Sequence, residues 1–135
     1  MAETQPLDGI RVLLVDDDED TRDIIERVLS RRGARVVAVP SARAALETFS
    51  RQVFDVLVVD IMMPGMDGYE FMRQVRALPP EKGGRVPAAT LTARAVTDDR
   101  LESLRAGFQS HLAKPIEPAE LVEVVAALAG RSAGA

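Results

Sequence analysis

Short apolar runs alternate with longer amphipathic segments five times along this chain, and that order leaves few folds open. The runs are Ile10 to Val15, Arg35 to Val39, Phe54 to Val59, Val86 to Leu91 and Ser110 to Ala113. Each is short enough for a strand, and each is followed by a segment with helical spacing. Strict alternation of this kind implies a parallel sheet with helices on both faces. The third run is the most apolar. Val56-Leu57-Val58-Val59 has no polar residue, as expected of a strand covered on both sides. It stops at one carboxylate, Asp60, and the Pro64-Gly65 and Asp67-Gly68 pairs that follow are turn chemistry. In parallel sheets ligands bind in the crevice beyond the carboxyl ends of the strands. Asp60 is expected there.

The intervening segments predict five helices. Ile24, Ile25, Val28 and Leu29 mark the buried face of the first, with acids before it, Arg31 and Arg32 near its end, and Gly33 as its stop. Ser41 is the expected N-cap of the second, with Leu46 and Phe49 inward. Asp67-Gly68 opens the third, over Phe71, Met72, Val75 and Leu78. Thr97-Asp98-Asp99 leads the fourth, with Leu101, Leu104 and Phe108 expected inward and Gly107 as its end. Glu117 begins the fifth, where Leu121, Val124, Val125 and Leu128 keep a 3.6-residue period. Residues 1–9 read as a loose lead-in, 10–129 as one domain and 130–135 as a frayed tail.

Composition removes several function classes. There is no Cys, which excludes disulfides and thiolate metal sites, and the single His111 excludes a site needing two imidazoles. A net charge of −4 argues against strong binding to a nucleic-acid backbone. No run approaches the ~20 apolar residues of a membrane span. The first residues lack the pattern of a secretory signal. A cytoplasmic setting is the simplest expectation.

Strand ends deliver polar groups to one crevice. The first gives Asp16 and Asp17, the third Asp60, the fourth Thr92 and the fifth Lys114. Three converging carboxylates repel one another unless a cation lies between them. With oxygen donors alone, Mg²⁺ is the natural choice. A hydroxyl and an ammonium opposite the metal suit an anion with several oxygens, and a phosphoryl group fits. A carboxylate can itself be the nucleophile in forming an aspartyl phosphate, and Asp60 is the best placed.

The residues Leu14-Val15-Asp16-Asp17, Val59 through Gly68, Leu91-Thr92-Ala93 and Lys114-Pro115 resemble the receiver domain of two-component response regulators. Each motif alone is weak; in this order, at consistent strand ends over residues 10 to 129, they are specific. The Leu7-to-Arg11 lead-in and the Gly107-to-Pro115 stretch further resemble receivers fused to hybrid sensor histidine kinases.

The resemblance implies a flavodoxin-like (βα)5 fold with strand order 2-1-3-4-5. It implies that Asp60 accepts a phosphoryl group from a phosphohistidine on a sensor kinase or a histidine phosphotransfer protein. Asp17, Asp60 and the backbone carbonyl of Met62 would ligate Mg²⁺ directly, with Asp16 acting largely through water. Thr92 would donate its hydroxyl to the phosphoryl group and shift on phosphorylation, Lys114 would pair with a phosphoryl oxygen, and the Lys114-Pro115 bond would be cis. His111 occupies the place of an aromatic switch residue, usually Tyr or Phe; the alternative is an ordinary half-exposed strand residue. A downstream partner would read the face formed by the fourth helix, fifth strand and fifth helix. Such a domain is not an enzyme acting on a separate substrate, but it promotes its own Mg²⁺-dependent phosphorylation and dephosphorylation. Met62 and Arg94 stand two residues past Asp60 and Thr92, where they would flank the path of attacking water, so slow self-dephosphorylation is expected.

Two alternatives remain open on sequence grounds. One is a Mg²⁺-dependent phosphohydrolase resembling the haloacid dehalogenase group, but Met62 stands where such enzymes place a second Asp. The other is a binding module of the same fold that no longer accepts phosphate, although relatives of that kind usually lose an acid or the Lys, and all are kept here.

Overall fold

The computed structural model describes residues 5–93 and 97–131. Five parallel strands form one sheet in the order β2-β1-β3-β4-β5. They are β1 (Arg11–Val15), β2 (Arg35–Val39), β3 (Val56–Asp60), β4 (Ala88–Thr92) and β5 (Ser110–Ala113). The helices are α1 (Glu19–Ser30), α2 (Ala42–Arg51), α3 (Gly68–Arg76), α4 (Thr97–Ala106) and α5 (Pro118–Leu128). This is the doubly wound arrangement implied by the alternation. Every residue of β3 and β4 is buried, whereas the middle of the edge strand β2 is half-buried.

Side chains alternate across the pleat and divide the core into two layers. Leu13, Leu57, Val59 and Ala88 face one layer with Phe49, Phe71 and Met72. Val12, Leu14, Val58 and Leu91 face the other with Ile25, Leu29, Leu121 and Val125. Helix starts are capped as the sequence suggests. Ser41 accepts from the Ala44 amide at 3.1 Å, Asp67 from Glu70 at 2.9 Å, and Glu117 from Glu120 at 2.9 Å. Each cap satisfies a donor that the first helical turn leaves orphaned.

Several expectations are corrected. Ile24 is 54% exposed, because the buried stripe of α1 is narrow and centred on Ile25 and Leu29. Leu101 and Leu104 of α4 face outward, at 49% and 63% exposure, while Ser103 and Ala106 face inward. The buried stripe of α4 is made of small residues, which apolar spacing does not mark. Gly107, at φ +109°, ends the helix as expected, and Phe108 just beyond it is buried as expected. The strand expected from Val86 begins at Ala88, after Pro87, which has no amide hydrogen to donate. The lead-in is pinned at its end. Leu7 is fully buried, its amide donates to the Arg32 carbonyl at 2.9 Å, and the Gly9 amide donates to Gly33 at 3.1 Å.

Candidate functional site

The site lies at the carboxyl end of β1, β3, β4 and β5. Register decides what meets there. Val15 pairs with Val59, so Asp16 follows level with Asp60 at the end of β3. Thr92 pairs with Ala113, and the Lys114 amide donates to the Thr92 carbonyl at 2.8 Å. The Lys114-Pro115 bond is cis.

Carboxylate oxygens of Asp16, Asp17 and Asp60 lie within 4.8 Å of one another. Asp16 is fully buried and Asp60 is 3% exposed, while Asp17 opens to solvent. The Lys114 ammonium reaches in from β5, 3.0 Å from Asp16 Oδ2 and 3.5 Å from Asp60 Oδ2. One monovalent cation thus pairs with two of the three carboxylates. The remaining negative charge and the all-oxygen donor set fit a hard divalent cation held partly by water. Asp16 Oδ1 accepts from the Asp18 amide at 2.9 Å, and Asp60 Oδ1 accepts from the Met62 amide at 3.2 Å. Both acids are therefore oriented by the loop that follows them.

Burial, and then the Asp16 charge, push the Asp60 carboxyl up to about 6, against the pull of Lys114 and the Met62 amide. At neutral pH the group is still mainly ionised. Burial by itself would lower the Lys114 ammonium, but Asp16 and Asp60 outweigh it, and its pKa is raised. Asp18 caps α1. Its carboxyl is held below the usual value, chiefly by the Thr21 hydroxyl.

Sequence reasoning missed Arg22. Its guanidinium donates to the Asp16 carbonyl at 2.8 Å and so ties the first turns of α1 to the acidic loop. The signal available was a base one turn into a helix that begins beside an acid cluster. Thr92 is 6% exposed at the end of β4. His111 is half-buried on β5, with Nδ1 2.9 Å from the Thr90 hydroxyl in the neighbouring strand, so its ring belongs to a cross-strand pair. Arg94 lies outside the described residues.

Gly68 sets how closely α3 approaches the site. A Cβ there would lie 2.5 Å from the Asp60 carbonyl oxygen and 2.9 Å from the Ile61 Cα, both backbone atoms that cannot swing aside. Gly68→Ala should cost roughly 1–3 kcal/mol in urea unfolding, the range for overpacking a tight site. A neutral substitution would show that the loop yields.

The family model for the response regulator receiver domain matches residues 12–126. The chain belongs to this family. An uncharacterised 14.6 kDa protein from Leptolyngbya boryana is 45% identical over 121 residues, covering 90% of this chain and 91% of that protein. The sensor protein GacS of Pseudomonas syringae pv. syringae is 35% identical over 116 residues; the match takes in 85% of this chain but only 13% of GacS. Among solved structures, the receiver domain of sensor histidine kinase PA1611 from Pseudomonas aeruginosa PAO1 superposes with a TM-score of 0.82 at 38% identity. That match covers 90% of this chain and 98% of that one, and that receiver has a magnesium ion coordinated in its active-site cleft. The receiver domain described here is a signalling switch of two-component phosphorelays, and its acidic pocket is of the kind such a switch needs. No helix among the described residues is long and apolar enough to cross a membrane.

Proposed function

We propose that Asp60 is the phosphoacceptor and that transfer requires Mg²⁺. The observation that carries this is the cluster of three carboxylates at the sheet's carboxyl end, two of them paired with the Lys114 ammonium. Asp17, Asp60 and the Met62 carbonyl would hold the metal, with Asp16 acting mainly through water. The metal would supply charge neutralisation for the acids and the incoming phosphoryl oxygens. An Asp60 oxygen attacks phosphorus, the bond from phosphorus to the donor's imidazole nitrogen breaks, and the imidazole leaves with the electron pair. Lys114 then pairs with a phosphoryl oxygen, and the Thr92 hydroxyl donates to another.

The donor is a phosphohistidine on a sensor kinase or a phosphotransfer protein. The new charge and hydrogen bonds bias Thr92 and the surface of α4, β5 and α5, with His111 as the inward-facing switch residue. A downstream partner that prefers one state reads the signal, and the response cannot exceed its differential affinity. The folded switch acts where its kinases present phosphohistidine, in the cytoplasm.

Incubation with acetyl phosphate, followed by intact mass measurement, tests the proposal. A single phosphoryl adduct should form with Mg²⁺ and be lost with a chelator. Adduct formation that ignores Mg²⁺ would overturn it.

Lifetime is a separate expectation. The Met62 side chain is 75% exposed beside Asp60, and a thioether is a poor partner for an attacking water. The adduct should therefore decay slowly, and Met62→Asn should shorten its lifetime severalfold. Rapid loss in the parent, unchanged by Met62→Asn, would count against this.

A further inference from the structure

Charge in this fold is sorted by direction. Every helix returns antiparallel to the strands, so helix starts share the acidic end of the sheet and helix ends share the opposite one. The first turns hold acids, including Glu19, Glu70 and Glu120, and the last turns hold Arg27, Arg51, Arg73, Arg76 and Arg105. This sorting follows the helix dipole. Strand starts add Arg11 and Arg35 to the basic end. The net charge of −4 therefore hides a basic pole opposite the phosphoacceptor site.

A cleft of about 850 Å³ opens at that pole, between the end of α2 and residues 78–87. Its floor is apolar. Leu46 and Leu78 are half-buried there, over the buried Phe49 and Phe54 rings, which stack with centroids 6.3 Å apart and planes 14° apart. Val53, at the rim, is 67% exposed. Gly83, at φ +91°, lies so close that a Cβ would meet the Phe49 ring at 2.6 Å, which fixes the wall of the cleft. Arg51, Lys82 and Arg85 stand around it, and none of them forms an ion pair among the described residues. Of the acids lining the cleft, Asp55 is already engaged by Arg11, which leaves Glu81.

We propose that this cleft docks an acidic amphipathic segment of a partner protein. Apolar side chains of the segment would cover Val53 and the half-buried Leu46 and Leu78, and its carboxylates would meet Arg51, Lys82 and Arg85. The combination of a concave apolar floor and a cationic rim favours such a segment over nucleic acid, which would use the cations but not the floor. An anionic membrane would need a convex or flat apolar surface rather than a cleft. Docking here would leave Asp60 free, so a partner could stay bound while the switch is phosphorylated.

The test is a titration of the isotopically labelled full chain with a synthetic helical peptide carrying Leu and Phe at i, i+4 spacing and Glu elsewhere. Amide signals of residues 49–55 and 80–87 should move. Affinity should fall at least about tenfold in the Arg51→Glu/Lys82→Glu/Arg85→Glu variant and in high salt. Val53→Asp should weaken binding as well, and both variants should still take up phosphoryl at Asp60, which shows that they fold. The proposal is overturned if no shifts occur at millimolar peptide or if a Gln-for-Glu peptide binds equally well. It also falls if the shifts map to α4 and α5 instead. Stronger shifts at the same residues from single-stranded DNA or anionic vesicles would replace the partner proposed here.

Discussion

Asp60→Asn should make the metal-free protein more stable at neutral pH, although it removes the proposed phosphoacceptor. Asp60 is 3% exposed and its carboxyl is raised to about 6, by burial first and by Asp16 second. Between the unfolded value near ~3.9 and about 6, the folded state holds more of this proton than the unfolded chain does. The contribution is thus fully present below about pH 4 and is lost as pH rises through about 6. Ionised Asp60 is then a liability that Lys114 only partly offsets. The gain from Asn should be roughly 1–3 kcal/mol at pH 7 in urea unfolding with a chelator present. The stability profile should also flatten between about pH 4 and 6. Mg²⁺ should raise the midpoint of the parent and have little effect on the variant. A less stable Asp60→Asn protein at pH 7 would mean that the carboxylate is held by favourable contacts instead.

Lys114→Ala should act in the opposite direction. It removes the ammonium 3.0 Å from a fully buried Asp16 and leaves that carboxylate facing Asp60 without a counter-charge. Breaking a buried pair in this way costs more than the pair contributes, and about 2–4 kcal/mol is expected at pH 7. The raised Lys114 pKa means its stabilisation is present below the unfolded lysine value near ~10.4 and is lost only as pH rises through the higher folded one. The loss should therefore be visible across the whole neutral range. It should shrink in acid, as Asp60 takes up its proton below about pH 6. Combined with Asp60→Asn, the two effects should fail to add, because both residues belong to one charge network. Additive effects would show that Lys114 is a solvated surface cation.

The sequence exposed the site more completely than it exposed the packing around it. Asp16, Asp60, Thr92 and Lys114 were legible because each ends an apolar run in a fold whose strands all point the same way, so chain order alone placed them together. The α4 face was misread because the residues it buries, Ser103 and Ala106, are small and leave no apolar period, whereas Leu101 and Leu104 keep one. Ile24 was misjudged because periodicity shows which side is apolar but not how wide the covered stripe is. Leu7 was assigned to a loose segment, since a single apolar residue among polar ones carries no period. Arg22 was missed because its role is a bond to a backbone carbonyl, which side-chain pattern does not encode. The basic pole was hidden because net charge sums over both ends of the sheet.

The most direct test of the account is to locate the phosphoryl group chemically. The protein is treated with acetyl phosphate and Mg²⁺, reduced with borohydride, digested and sequenced by tandem mass spectrometry. An acyl phosphate at Asp60 is reduced to an alcohol, so homoserine should appear at that position and nowhere else, and only when Mg²⁺ was present. Homoserine at Asp16 or Asp17, or none at all from a folded and Mg²⁺-loaded protein, would contradict Asp60 as the phosphoacceptor.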